Sequence, residues 1–124
     1  MARPIGPTLT DHELSIMQIL WERSLLTVQE ILDVFPRTPK PAYNSLLTAV
    51  RALEKKKILA HKKDGKAYRY YPVLLKAKYK RSALQRLLSH AFDGNAYDLA
   101  VNLIKEEAIG ADDLQKLKQL LEHM

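Results

Sequence analysis

Apolar positions return along this chain at two periods, a helical one at both ends and a strand-like one in the middle. Thr10-Asp11-His12-Glu13 opens the first helix as a capping box, a Thr at the cap and a Glu three residues later. Leu9 and Leu14 flank it at the spacing of a hydrophobic staple. Leu14, Met17, Leu20 and Trp21 then form the predicted apolar stripe. Thr27-Val28-Gln29-Glu30 repeats the capping box, followed by Val28, Ile31, Leu32 and Phe35 at helical spacing, with Pro36 as the stop. Pro36, Pro39 and Pro41 interrupt the pattern. A proline is preorganised for the first helical position, which places the start of a third helix near Pro41. Its apolar side is Ala42, Leu46, Ala49, Val50 and Leu53. Its other side carries Asn44, Ser45, Thr48, Arg51 and Lys55, with Tyr43 leading and Lys55-Lys56-Lys57 at the end.

The period then shortens. Ile58 to Lys63 and Lys66 to Tyr71 read as two strands joined across Asp64-Gly65, and a type I′ turn with positive φ at both of those residues is expected. Pro72 closes the second strand. Helical spacing resumes with Tyr79, Ala83, Leu87, Leu88, Ala91 and Phe92, stopped by Asp93-Gly94. A further helix is expected from Ala96 to Glu107, carrying Tyr97, Ala100, Val101 and Ile104 beside Leu99 and Leu103. Gly110 precedes a last one with Asp112 and Asp113 in its first turn and Leu114, Leu117, Leu120 and Leu121 as its stripe. The pattern divides into a front region, 8–74, and a helical rear region, 75–124.

Charge sharpens that division. The 124 residues carry a net +6, but residues 1–92 hold 17 basic and 7 acidic side chains, net +10, whereas 93–124 hold 3 and 7, net −4. A basic front suits a polyanion and an acidic, leucine-striped rear suits something else. The absence of cysteine excludes disulfides, thiolate metal sites and cysteine nucleophiles. No apolar run approaches the ~20 residues of a membrane span. The opening Met-Ala-Arg-Pro-Ile-Gly-Pro lacks the apolar stretch of a signal peptide, so a cytoplasmic location without membrane insertion is expected.

Three helices followed by a basic hairpin is the order of a winged helix-turn-helix domain, so the expected class is mainly α with a small β-hairpin wing and a C-terminal helical region. In such a domain the third helix enters the major groove and the wing lies along the backbone. Tyr43, Asn44, Ser45, Thr48 and Arg51 offer the donors, acceptors and apolar edges that read bases. Lys40, Lys55, Lys62, Lys63, Lys66 and Arg69 are the expected backbone contacts, neutralising phosphates without reading sequence. Trp21, Phe35 and Phe92 lie on apolar stripes and are expected in a core, as is Tyr70; Tyr68 stays open between packing and stacking on bases. His12, His61, His90 and His123 lack ligand spacing, so no metal site is expected. There is no Gly-rich phosphate loop and no nucleophile elbow. Catalysis and a cofactor are therefore not expected. The competing reading is a winged helix that binds protein, which would show apolar or acidic residues on the exposed face of the third helix.

The run Leu9-Thr10-Asp11-His12-Glu13-Leu14, then Met17, Leu20-Trp21 and Leu26-Thr27-Val28-Gln29-Glu30-Ile31, resembles the start of the penicillinase repressor family. Asn44-Ser45-Leu46-Leu47-Thr48 through Leu53 is similar to that family's Lys-Thr-x-x-Thr recognition helix, with Asn44 and Ser45 in place of the Lys and first Thr. Lys63-Asp64-Gly65-Lys66 through Pro72 resembles its wing, and the rear from Asn102 to Leu121 runs in step with it. The resemblance spans about Leu9 to Leu121. It implies a homodimeric repressor on the two halves of a palindromic operator, and it makes the rear a C-terminal helical dimerisation region, with Leu87, Phe92, Tyr97, Val101, Ile104, Leu114, Leu117 and Leu121 as dimerisation residues. It also implies inactivation by a membrane sensor-protease between Asn102 and Leu103, where Leu replaces the family's Phe. The Gly that ends the family's third helix is Lys57 here. The cysteine-rich tail of the copper-sensing members is missing, which excludes copper sensing by that route.

Overall fold

The two threonines start the first two helices as their spacing predicts. In the computed structural model, which describes residues 7–124, Thr10 caps α1 (Asp11–Glu22) and Thr27 caps α2 (Val28–Asp33). Each Thr hydroxyl accepts the backbone N–H three residues on, at 3.1 Å, and each Glu carboxylate accepts the Thr N–H at 2.9 Å. The first six residues, most of the stretch read above for a leader, lie outside the described part. The α2 stripe runs past the helix: α2 stops at Asp33 and Phe35 reaches the core from beyond it, its N–H donating to the Leu32 carbonyl at 3.2 Å. Pro36 disfavours helical geometry at the residue before it, which ends the helix early.

The third helix, α3 (Tyr43–Lys55), begins two residues later than Pro41 suggests. Ala42 is its cap, in extended geometry without a side-chain bond, and the Ala42 carbonyl accepts the Leu46 N–H at 3.0 Å. At the far end Lys57 takes the left-handed conformation, φ +64°. Its N–H donates to the Glu54 carbonyl at 2.9 Å, and the N–H of Ile58 to the Leu53 carbonyl at 3.0 Å. This is a Schellman ending, with the apolar pair Leu53 and Ile58 both in the core.

The chain then forms an antiparallel hairpin, β1 (Leu59–Asp64) and β2 (Ala67–Pro72), in register from Leu59 opposite Pro72 to Asp64 opposite Ala67. The expected turn is corrected by one residue. Asp64 ends the ladder, the two central residues are Gly65-Lys66, and only Gly65 has a positive φ, +61°. A first central glycine is the signature of a type II′ turn, which needs positive φ there alone. On its other side β2 is bridged to the α1–α2 connection, where Tyr70 exchanges backbone hydrogen bonds with Leu26 at 2.8 and 3.2 Å.

One core joins these elements. Ile16, Met17 and Leu20 of α1, Ile31 of α2, and Leu46, Val50 and Leu53 of α3 are fully buried, with Leu59 and Tyr70 of the hairpin beside them. On α1 the deepest residues are Ile16, Met17 and Leu20; Leu14 and Trp21, expected on the central stripe, pack at its margin. The helix meets α2, α3 and β2 at once, so its buried face is wider than one stripe. The hairpin leads into α4 (Lys76–Ala91). Its Tyr79 ring lies 5.7 Å from Trp21, whose indole N–H donates to the Leu74 carbonyl at 2.9 Å.

The contacts divide the chain between Ala83 and Leu84, within α4, where the sequence reading divides it after residue 74. Tyr79, packed on the front core, holds the first half of α4 to the front unit, and Ser82 one turn on is buried. In the rear unit α4 ends at Ala91, with Asp93 and Gly94 at φ +50° and +77°. Asn95 caps α5 (Ala96–Lys105), accepting the Asp98 N–H at 3.0 Å. A second Schellman ending, with Glu107 at φ +55°, stops α5 two residues short of the Glu107 read from the sequence. Gly110 precedes α6 (Ala111–Glu122). No residue of α5 or α6 is buried, and Phe92, expected in a core, is half-buried.

Candidate nucleic-acid interface

The face of α3 opposite the core is open. Leu46, Val50 and Leu53 hold the helix from beneath, leaving Tyr43, Asn44, Ser45, Thr48, Arg51 and Lys55 exposed. The Thr48 hydroxyl donates back to the Asn44 carbonyl at 2.9 Å, which restrains its rotamer. Asn44, Thr48, Arg51 and Lys55 recur at helical spacing along one line of this face.

Beside α3 the hairpin presents Lys62, Lys63 and Lys66, all exposed. The ammonium of Lys62 lies 5.8 Å from the centre of the Tyr71 ring. Arg69 is placed differently. Its Nε donates to Asp64 Oδ2 at 2.8 Å, and its Nη1 to Glu30 Oε1 at 2.6 Å and to the Leu25 carbonyl at 3.2 Å. The hydrogen bond that Arg69 donates to Asp64, and then the charge of Glu30, raise the Arg69 pKa further. The Thr27 N–H and then Arg69 hold the Glu30 carboxyl below the ordinary 4.5. Lys40 Nζ donates to the Asp33 carbonyl at 2.6 Å, tying the proline-rich connection to the end of α2.

The hairpin is braced on α3 by a small aromatic cluster. His61 Nδ1 pairs with Glu54 Oε2, and its ring stacks on Tyr68 with centroids 4.3 Å apart. Tyr70, edge-on to His61 at 5.7 Å, is buried as the strand pattern predicts; burial and then Glu54 push its hydroxyl pKa up. Between α2, α3 and the hairpin runs a groove of about 580 Å³, bordered by Thr27, Gln29, Tyr43, Arg51, Lys66 and Tyr68. The structure thus brings Tyr43, Arg51 and Lys66 together on one groove. Sequence reasoning gave Gln29 no contact role and read Glu30 only as a cap; nothing in the local pattern links Glu30 to Arg69, 39 residues away.

In the rear unit, Leu87, Tyr97, Ile104, Leu117 and Leu121 are exposed while Phe92, Val101 and Leu114 are half-buried. Tyr97 is 80% and Leu121 69% exposed, an apolar surface far beyond scattered single residues. Asn102 donates to the carbonyl and carboxylate of Asp98 at 2.9 and 3.1 Å, and the Asn102–Leu103 bond lies within α5. Among the described residues no helix is long and apolar enough to cross a membrane, and no cluster of His, Asp or Glu could hold a metal ion.

These features recur in known proteins. Residues 9–123 match the penicillinase repressor family model. The chain is 23% identical over 116 residues to the penicillinase repressor of Bacillus licheniformis, covering 94% of this chain and 91% of that one. It is 28% identical over 115 residues to the transcriptional regulator BlaI of Mycobacterium tuberculosis, covering 91% and 82%. The DNA binding domain of the repressor BlaI in solution is similar at 26% identity and TM-score 0.52, over 64% of this chain and 94% of that one. The monomeric form of Bacillus licheniformis BlaI in complex with the blaP half-operator follows at 27% identity and TM-score 0.50, over 59% and 89%. The front unit is a winged helix-turn-helix domain, and the chain belongs to the penicillinase repressor family.

Proposed function

We propose that the chain is a sequence-specific DNA-binding transcriptional repressor that occupies a two-fold operator as a homodimer. The observation that carries this is the open polar face of α3 beside a lysine-bearing wing. Tyr43, Asn44, Ser45, Thr48 and Arg51 read base edges in the major groove. Lys40, Lys55, Lys62, Lys63 and Lys66 set position and affinity through phosphates. The complex of the relative BlaI with the blaP half-operator supports the DNA-binding reading. Asn, Ser, Thr and Arg on α3 suit base edges better than they suit the apolar or acidic face of a protein-binding winged helix.

The rear helices supply the second half of the reading. Leu87, Phe92, Tyr97, Val101, Ile104, Leu114, Leu117 and Leu121 form the surface that a second copy covers. Two copies then present two recognition helices to operator half-sites about one or more turns apart. A sensor-protease cutting Asn102–Leu103 in the cytoplasm would split this surface, taking Ile104, Leu114, Leu117 and Leu121 away from the DNA-binding part, and so weaken the dimer on its operator; α5 must open there first, because the bond lies inside the helix. The chemistry requires neither cofactor nor metal.

Fluorescence anisotropy with duplex DNA from upstream of the protein's own gene, against a scrambled duplex, at two salt concentrations, tests the reading. Preference for the native duplex of ~10³-fold or more, falling steeply with salt, is expected. Absence of binding to either duplex at low salt would transfer the case to a protein-binding module.

A further inference from the structure

We infer that Arg69 acts as a latch that sets the wing against the helix-turn-helix, rather than as one of the wing's phosphate contacts. The inference rests on the DNA-binding reading and sharpens it, because the hairpin carries four cations and only three of them face outward unpaired by a carboxylate. Arg69 stands opposite Lys62 in the ladder, yet its guanidinium is engaged by two carboxylates, Glu30 and Asp64. One edge meets Asp64 at the tip of β1 and one nitrogen meets both Glu30 and the Leu25 carbonyl. Three separate pieces of chain, the wing tip, the α1–α2 connection and the first turn of α2, are therefore held by a single side chain.

The shape of the group matters here. A planar guanidinium offers a fixed fork of donors that can serve two carboxylates at once, which a lysine ammonium on a flexible stem does poorly. Glu30 is itself fixed, since the same Oε1 that accepts Arg69 also accepts the Thr27 N–H at 2.9 Å. The latch therefore anchors on a rigid point of α2 instead of a mobile surface carboxylate. It also pairs the charges of Asp64 and Glu30, two carboxylates on the side of the polyanion-binding wing.

Arg69→Gln, Arg69→Lys, Glu30→Gln and Lys66→Gln in the full chain, titrated with the upstream duplex over a range of salt, test the inference. A latch predicts that Arg69→Gln weakens binding by about 3- to 10-fold, the scale that two half-exposed ion pairs can supply, with the salt slope unchanged. Arg69→Lys weakens it nearly as much, although its charge is kept. Glu30→Gln retains the capping box and is non-additive with Arg69→Gln. Lys66→Gln, by contrast, lowers the slope by about 0.9, the mark of one lost phosphate contact. Full affinity for Arg69→Lys together with a slope lowered by about 0.9 in Arg69→Gln would overturn the latch and make Arg69 a phosphate contact. An unchanged slope in Lys66→Gln would instead remove the wing from the DNA, and the latch with it. Far-UV circular dichroism and thermal unfolding of each variant separate these outcomes from misfolding.

Discussion

The indole N–H of Trp21, at the end of α1, donates to the carbonyl of Leu74, 53 residues later in the chain, at 2.9 Å. The bond fastens the exit of the wing to the first helix and turns Tyr79 onto the indole ring. Trp21→Phe keeps a ring there but leaves the Leu74 carbonyl without its donor. A cost of about 1–2 kcal/mol is expected, read as a lower urea midpoint with an unchanged slope.

Lys57 holds a left-handed backbone that ordinarily costs a side chain about 1–2 kcal/mol. Lys57→Gly removes that strain, offset in part by the greater freedom of glycine in the unfolded chain. A net gain of about 0.5–1 kcal/mol is expected. Lys57→Ala, which keeps the strain, leaves the urea midpoint near that of the parent.

Arg51 combines an exposed position on α3 with a place at the groove beside the wing. Arg51→Ala should weaken binding to the operator duplex by about 1–3 kcal/mol, with a smaller loss on random duplex. Equal losses on both duplexes would make it a phosphate contact.

Leu117 and Leu121 sit one turn apart on the exposed stripe of α6. In the proposed dimer both are covered, and Leu117→Asp with Leu121→Asp would place unpaired carboxylates in an apolar seam. Sedimentation velocity is expected to show the double variant as a monomer with its front unit intact. An unchanged dimer would locate the interface elsewhere.

Acid should loosen the front unit through two glutamates. Burial pushes Glu13 up, but the Thr10 N–H and Lys56 at 3.3 Å outweigh it; in Glu30 the Thr27 N–H and Arg69 outweigh burial. Both carboxyls lie below their ordinary 4.5. A depressed folded-state pKa contributes stability that is present above the ordinary value and lost as pH falls through the depressed one. Urea midpoints of Glu13→Gln with Glu30→Gln, which keeps both capping boxes, are expected to lie below the parent at pH 7. The two should converge as the pH falls well below 4.5, through the depressed values at which the parent's carboxyls take up protons.

How much of this was legible before the structure depends on range. Thr10 with Glu13 and Thr27 with Glu30 are readable because a capping box acts across three residues, and both form as spaced. The hairpin is readable as an element, but its turn is shifted: Asp-Gly names the neighbourhood, and Gly65 alone supplies the positive φ. The deep burial of Ile16 in place of Leu14 depends on three elements meeting α1, which a single-stripe reading does not contain. On the interface, the exposed face of α3 follows from periodicity. The fate of Arg69 does not, because its partner Glu30 lies 39 residues away and carries a local motif that already explains it.

The bridge between Leu26 and Tyr70 gives β2 a neighbour on both sides and leaves β1 as the outer edge of the hairpin. An outer edge with open backbone groups invites a second copy to zip onto it. Here that edge carries His61, Lys62, Lys63 and Asp64 in succession, all exposed. Two such edges would bring lysines against lysines, so the charges offered to phosphate also discourage wing-to-wing pairing whenever DNA is absent. The side chains suited to holding a polyanion are the same ones that leave self-association to the rear helices.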